Sequence, residues 1–367
     1  MNILGISAAR LDRGACLLQD GRIIATAQEE RFACKKNKPS FPLHSIEYCL
    51  QEGKADIDDI DIIALCDKPF LQAQRILATS LARAPMGIRS FLEETPLWIT
   101  QQLWILKSIF TTAGFKGKII FTGRHQSLAA AAFFSAPFSE AAVLTLDAGA
   151  ERATTAYGLG SYNTVDILAE QLFPHSLDLL YSAFSHYLGC AAGSGADKFM
   201  ESAALGKPTF KKLILSELID LKEDGSFKLN MNYFDCCTDP AMNVGKLDEF
   251  LGRIPQGPAL SREQWDRDLA CSAREVIEDV VLQIVQHLHR TTGQKKLCML
   301  GDAVLNCVDK KRILAESAFD ELYVQPVVGG ALGTVLFSWH AYLGKSLSVA
   351  MEKAALEGMY LGPEPLR

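Results

Sequence analysis

Two aspartates stand at matching places in two similar stretches of this sequence. Asp12 follows an apolar, β-prone run, in Ala9-Arg10-Leu11-Asp12-Arg13-Gly14-Ala15. Asp147 ends a second such run, in Thr145-Leu146-Asp147-Ala148-Gly149-Ala150-Glu151. A carboxylate at a strand end beside a glycine can hold a metal ion or orient a phosphate, because glycine lets backbone N–H groups approach an anion. The same acid can simply close a turn through a local side-chain bond, and the residues alone leave both readings open. Gly329-Gly330-Ala331-Leu332-Gly333 opens the last helix of the pattern. Glycines there suit a phosphate or nucleotide at a helix N-terminus, or close packing of that helix. The turn Gly301-Asp302-Ala303-Val304-Leu305-Asn306 has similar shape, with Asp302 as its plain N-cap alternative. His125 precedes an alanine-rich helix and is available as a base or as a hydrogen-bonded structural group. The seven histidines include no pair four apart on one helix face, so the usual two-ligand helical metal site is missing. The charged run Gln28-Glu29-Glu30-Arg31-Phe32 reads as solvated surface or as an anion-binding loop facing a cleft.

These residues need elements to hold them. Asn2–Ser7 reads as a strand. Ala15–Leu18 and Ile23–Gln28 flank Asp20-Gly21, a strong hairpin signal. Pro42 starts a helix, Asp61–Cys66 is a strand, and residues 71–112 form a long helical insertion rich in Leu, Ile and Trp. Lys118–Thr122 is a strand and Ser127–Phe134 a helix. The pattern then restarts: strand Ala141–Asp147, hairpin Thr154–Gly160 with Val165–Leu172, and helix Leu179–Leu188. An irregular turn follows over Gly193–Lys198, then a short helix Met200–Leu205. A long helix runs from Arg262 to about Thr291, with Ser261 and Gln264 as a capping box. Strand Leu297–Leu300, helix Ala303–Glu316, strand Glu321–Gln325 and helix Leu332–Leu343 complete the series. Two strand–hairpin–helix–strand blocks predict a two-lobed α/β chain, divided near residue 138 into lobes 1–137 and 138–367, with a ligand cleft between them.

The 367 residues are 49% hydrophobic and 22% charged, with 37 Lys+Arg against 43 Asp+Glu. That composition excludes disordered, collagen-like and disulfide-stapled classes. The absence of a basic surplus argues against nucleic acid as a partner. No apolar run is long enough for a membrane span, and the N-terminus lacks a signal-peptide pattern. Ten cysteines, scattered singly except for Cys236-Cys237 and without a Cys-x-x-Cys, fit buried thiols in a reducing cytoplasm.

Taken in order, several segments resemble the carbamoyltransferases of the NodU and antibiotic O-carbamoyltransferase type. They are Ile3–Ser7, Gln28–Phe32 with Pro39-Ser40-Phe41-Pro42, Asp67-Lys68-Pro69-Phe70, Ala141–Asp147 with Ala153-Thr154-Thr155, Phe173-Pro174-His175-Ser176, residues 179–184, Leu305-Asn306-Cys307 and Tyr360-Leu361-Gly362-Pro363. The resemblance implies a two-lobed fold of the actin and sugar-kinase type, a duplicated RNase H-like unit with a helical insertion. It implies carbamoyl transfer from carbamoyladenylate to a hydroxyl, with a metal, commonly iron, in the cleft. The family also carries a YrdC-like domain that makes carbamoyladenylate. This chain stops where that domain would begin, so it is not expected to make its own donor.

The site departs from the family pattern. The His-His-x-Ser-His run that supplies two metal ligands reads Arg124-His125-Gln126-Ser127-Leu128 here. The acidic segment before the last helix, which supplies a third, is missing between Gln325 and Gly329. The His-Asp pair after the first strand is Leu11-Asp12, and Asp302 brings an extra carboxylate to the Asn306 turn. No metal is therefore expected. Asp12, Arg124, His125 and Lys198 remain as candidate catalytic residues. Asp147, Gly149, Glu151, Asn306, Gly329, Gly330 and Gly333 remain as candidate positions for a nucleotide or carbamoyladenylate. Three readings follow: a metal-free transferase of small-molecule biosynthesis, a non-catalytic homologue that binds a ligand or a partner, and an ordinary iron-dependent O-carbamoyltransferase. The candidate partners are a small-molecule substrate and a YrdC-like or full-length carbamoyltransferase.

Overall fold

In the computed structural model, the described residues are 1–9, 12–32, 41–66, 68–82, 115–148, 151–190, 195–234, 262–301, 303–325 and 329–346, with residues 92, 95, 96, 99, 250 and 251. The first sheet begins with β1 (Asn2–Ala9), β2 (Asp12–Gln19) and β3 (Arg22–Gln28), joined as antiparallel hairpins. Asp20 and Gly21 take φ values of 49° and 80° between β2 and β3. That left-handed pair is what the Asp-Gly signal requires of a tight hairpin turn. Helix α1 (Leu43–Glu52) leads to β4 (Ile62–Cys66), and helix α2 (Pro69–Ala82) opens the predicted insertion. Most of residues 83–114 lie outside the described residues. Strand β5 (Lys118–Thr122) and helix α3 (Arg124–Phe134) close the first half.

The second half repeats the plan. Strands β6 (Glu140–Leu146), β7 (Ala153–Ser161) and β8 (Thr164–Leu172) are antiparallel neighbours. Helices α4 (Leu177–Tyr187), α5 (Gly195–Ala204) and α6 (Lys211–Glu217) follow, then the small hairpin β9 (Ile219–Leu221) and β10 (Phe227–Leu229). The long helix α7 (Arg262–Thr292) comes next, then β11 (Lys296–Gly301), α8 (Lys310–Glu316), β12 (Glu321–Val324) and α9 (Gly330–Phe337). The sheet orders are β3-β2-β1-β4-β5 and β8-β7-β6-β11-β12. In each, three antiparallel strands are followed by two parallel ones. This is one unit used twice, the duplicated RNase H-like architecture of the actin and sugar-kinase class. The parallel strand β4 is buried along its whole length, as an unbroken Ile-Ile-Ala-Leu-Cys run demands.

Three sequence expectations change. Gly195–Lys198 is helical rather than irregular, because α5 begins five residues before Met200. The predicted helix Ala303–Glu316 is a short 3-10 turn over Ala303–Cys307 followed by α8. Asp309 separates them, its side chain accepting from the Lys311 N–H and so starting a new helix. The last helix ends at Phe337 and continues as a π-helical turn, Ser338–Tyr342. Ser261, the expected cap of α7, and the segment 191–194 lie outside the described residues.

The two helices between the sheets cross over. Helix α3 follows the first sheet, yet its Leu128, Ala129, Ala132 and Phe133 join a core with Val143, Cys298 and Leu300 of the second. Helix α9 follows the second sheet, yet Ala331, Leu332, Val335 and Leu336 join Ile3, Cys16, Ile62 and Ala64 of the first. The helices also pack on each other at backbone distance. A Cβ at Gly333 would lie 1.8 Å from the Ser127 carbonyl oxygen. A chain of hydroxyls runs along the seam, Thr122 meeting Ser127 at 2.7 Å and Thr334 at 2.6 Å. Phe134 stacks on His340 at 4.2 Å beyond it. Gly333→Ala is expected to destabilise the protein by about 3 kcal/mol, the upper end for overpacking, because a backbone carbonyl cannot yield as a side chain does. Urea denaturation measures it, and a change under about 0.5 kcal/mol would show that α3 and α9 do not approach this closely.

Candidate functional site

The crossover places the beginnings of both helices beside the first hairpin of each lobe. Asp12 begins β2 and Asp147 lies just past the end of β6, each at the turn of the first hairpin of its sheet. Arg124, the first residue of α3, reaches between them. Its Nη1 donates to Asp12 Oδ2 at 2.7 Å; its Nε and Nη2 donate to Asp147 Oδ1 at 3.1 and 3.0 Å. The Arg124 side chain is 2% exposed and both aspartates 3%. One guanidinium thus joins a carboxylate of each lobe. Its planar fork of fixed donors suits this task in a way a lysine would not.

The helix N-termini are engaged as well. The Gly330 N–H, at the start of α9, donates to Asp12 Oδ2 at 2.9 Å. The Arg124 N–H donates to Glu151 Oε2 at 3.0 Å, and Glu151 Oε1 accepts from the Lys68 backbone N–H. Each helix therefore offers its first N–H, and the positive end of its dipole, to a carboxylate of this chain. The glycine turn is accounted for by the same contacts. A Cβ at Gly330 would meet Asp12 Oδ2 at 2.4 Å and Arg124 Nη1 at 2.9 Å. Gly330 makes room for the ion pair and Gly333 for Ser127. Gly329 is the N-cap of α9, its carbonyl accepting from the Gly333 N–H at 2.6 Å. A phosphate drawn to this turn would meet the Asp12 carboxylate already seated there.

Three carboxylates, Asp12, Asp147 and Glu151, accompany the one guanidinium. Burial pushes the Asp12 carboxyl above its ordinary value; the Arg124 charge and the Gly330 N–H pull it down, and the Asp147 charge adds to the rise. Removing one partner of a buried pair costs about 3–5 kcal/mol, because it strands the other charge. His125 sits one residue on, 4% exposed, with Nδ1 2.7 Å from Thr145 Oγ1. Burial lowers its pKa, against the pull of the Asp147 charge. It is therefore a neutral imidazole set under the cluster rather than a base facing solvent.

The remaining sequence candidates are not in this cluster. Lys198 is exposed on α5, where its charge acts on the Cys190 thiol. Asn306 is exposed in the 3-10 turn after β11. Gly149 and Asp302 lie outside the described residues. Sequence reasoning missed Lys68, whose backbone ties the β4–α2 junction to Glu151, and whose Nζ lies 3.4 Å from Gln126 Oε1. Its place before Pro69 carried no chemical signal beyond the resemblance.

Iron, which the resemblance implies, does not fit the residues present. The guanidinium stands between Asp12 and Asp147. Leu128, at the other expected ligand position, is 1% exposed in the core of the second lobe. Among the described residues no three His, Cys, Asp or Glu side chains are grouped to hold a metal ion.

A family model, the carbamoyltransferase N-terminus, matches residues 2–336. This chain belongs to that family. An uncharacterized protein of Synechocystis, sll1178, is 42% identical over 376 residues, covering 99% of this chain and 60% of the relative. Nodulation protein NolNO of Sinorhizobium fredii is 28% identical over 371 residues, covering 96% of this chain and 49% of that protein. The chain thus spans roughly half to three fifths of these two relatives. Among solved structures, component A of (R)-2-hydroxyglutaryl-CoA dehydratase from Acidaminococcus fermentans matches with a TM-score of 0.47 at 14% identity, over 92% of this chain and 97% of that one. No helix among the described residues is long and apolar enough to cross a membrane. The seven described cysteines are all buried free thiols.

The acidic run at the end of β3 is neither solvated nor cleft-facing throughout. Glu29 is buried, and its carboxylate accepts from Ser45 N and Oγ at 2.9 Å each and pairs with His44 Nδ1 at 2.6 Å. It caps α1 and holds the exposed His44 ring. That hydrogen bond, with the Glu29 charge, raises the His44 pKa. A histidine raised on folding stabilises fully below its unfolded pKa of about 6.5, and that contribution is lost as pH rises through the folded value. The melting-temperature difference between wild type and His44→Ala should therefore be largest near about pH 5.5 and shrink towards pH 9. A difference that grows with pH would contradict the pairing.

Proposed function

We propose that the chain acts in carbamoyl-group transfer, in the cleft between its lobes, without a resident metal. The observation that carries this reading is the Arg124 guanidinium held between Asp12 and Asp147, in a chain whose family transfers carbamoyl groups by resemblance. Arg124 holds the two carboxylates in fixed orientation, and the neutral His125 supports the strand beneath them through Thr145. Three carboxylates against one guanidinium leave the cluster net negative. A donor such as carbamoyladenylate would then lie with its phosphate away from Asp12 and the Gly330 turn, since like charges at close range in a buried site repel strongly. The substrate hydroxyl would attack the carbamoyl carbonyl, breaking its bond to the phosphate so that AMP leaves while the hydroxyl proton passes to solvent, and this would rest on positioning and hydrogen bonding rather than Lewis-acid polarisation. The partners we propose are a small-molecule hydroxyl acceptor and a YrdC-like or full-length carbamoyltransferase that supplies the donor.

One observation favours a second reading, a non-catalytic homologue that holds a ligand or a partner carbamoyltransferase. Asp12, Arg124, His125, Asp147 and Glu151 are all 5% exposed or less, so they offer little surface to a substrate. Purified chain given carbamoyladenylate and a panel of small hydroxyl acceptors separates the two, with products read by mass spectrometry. The transferase reading expects product at a rate unchanged by a chelator. Turnover that depends on added iron overturns metal-free transfer. No product with any acceptor, together with stable association with a longer carbamoyltransferase, establishes the second reading.

A further inference from the structure

We propose that Arg124 is a resident cationic latch, a guanidinium built into the chain that holds the two lobes at a fixed closure and takes the space a bound cation would need. The proposal stands on geometry and holds whether or not the cleft turns over.

Four observations converge on it. First, the guanidinium is the cation shared by two carboxylates from different lobes, with Asp12 on the Nη1 side and Asp147 on the Nε and Nη2 side. Asp12 comes from the first hairpin of the first sheet and Asp147 from the first hairpin of the second, so the latch bridges the two sheets' hairpins. Second, the space is fitted to it. Gly330 carries no side chain where a Cβ would meet both Asp12 Oδ2 and Arg124 Nη1, so the N-terminus of α9 closes over the pair. Third, the backbone of the latch residue is itself anchored across the lobes. Arg124 N–H bonds Glu151 of the second lobe, and Glu151 bonds the Lys68 N–H of the first. Fourth, a cation ligated by Asp12 and Asp147 at about 2.0–2.6 Å would have to occupy the volume of the guanidinium nitrogens. The ion and the arginine are alternatives.

The arrangement has a chemical signature that a merely well-packed arginine lacks. Cutting the side chain back to alanine leaves a cavity shaped for a planar guanidinium and walled by carboxylates. Free guanidinium derivatives in solution should then refill it.

The experiment uses the full chain as wild type, Arg124→Ala and Arg124→Lys, with thermal unfolding measured alone, in millimolar ethylguanidinium, in millimolar Mn²⁺, and in sodium chloride at equal ionic strength. Wild type should be unaffected by ethylguanidinium and Mn²⁺. Arg124→Ala should melt several degrees lower and recover at least half of the loss in ethylguanidinium, beyond any effect of sodium chloride. Arg124→Lys should be only partly restored by its own charge. Hydrogen exchange at the start of β2 and of β7 should quicken in Arg124→Ala and slow again with ethylguanidinium. One Mn²⁺ bound per wild-type chain with a rise in melting temperature would overturn the proposal, as would Arg124→Ala melting like wild type. A folded Arg124→Ala that ethylguanidinium does not rescue would overturn it too. If Arg124→Ala does not fold alone, refolding it from denaturant with and without ethylguanidinium decides the same question by yield. None of these readouts depends on carbamoyl transfer, so a failed transfer assay and a failed latch are told apart.

Discussion

The structure depends on one buried charge arrangement. Arg124 is almost wholly removed from water, and Asp12 and Asp147 compensate its buried charge by accepting its hydrogen bonds. Everything that meets at that point is constrained by it. The hairpin β1–β2 must present Asp12, the end of β6 must present Asp147, α3 must begin at Arg124, and α9 must begin with a residue lacking a side chain. The two helix dipoles then reinforce the acids instead of attracting an external anion. A turn that could be read from its glycines as a phosphate cradle has its helix N–H groups taken by carboxylates of the chain itself.

That outcome separates what the residues announce from what they conceal. The duplicated architecture is legible because it rests on local signals: the Asp20-Gly21 turn, the unbroken apolar run of β4, and the restart of the pattern at β6. The candidate acids are legible for the same reason, since Asp12 and Asp147 recur in matching contexts. Their partner is harder to see. Nothing about Arg124 at a helix start shows that it will face inwards, because its partner Asp12 lies 112 residues away in sequence. Only the resemblance singled the residue out, through the ligand position it fills. The burial of Glu29 is hidden for a related reason. A carboxylate amid charged neighbours looks solvated, but its capping of α1 depends on residues that arrive only after the intervening segment.

The scaffold around Arg124 is closely filled. The core surrounding Leu128 is apolar and closely packed, and the hydroxyl seam from Thr122 to Thr334 is intact.

The reciprocal placement of α3 and α9 has a consequence for how the chain comes into being. The strands of the first sheet are made early during synthesis, but α9, which seals one face of that sheet, is among the last described elements to emerge. Ile3, Cys16, Ile62 and Ala64 must therefore wait with a bare apolar face until the segment between β4 and α9 has been translated. At about 5–20 residues per second the interval is tens of seconds. During that interval the exposed face is open to chaperones and to mispairing with other nascent chains. The first sheet thus cannot complete its core before the second half of the described fold has emerged, and neither half matures on its own schedule.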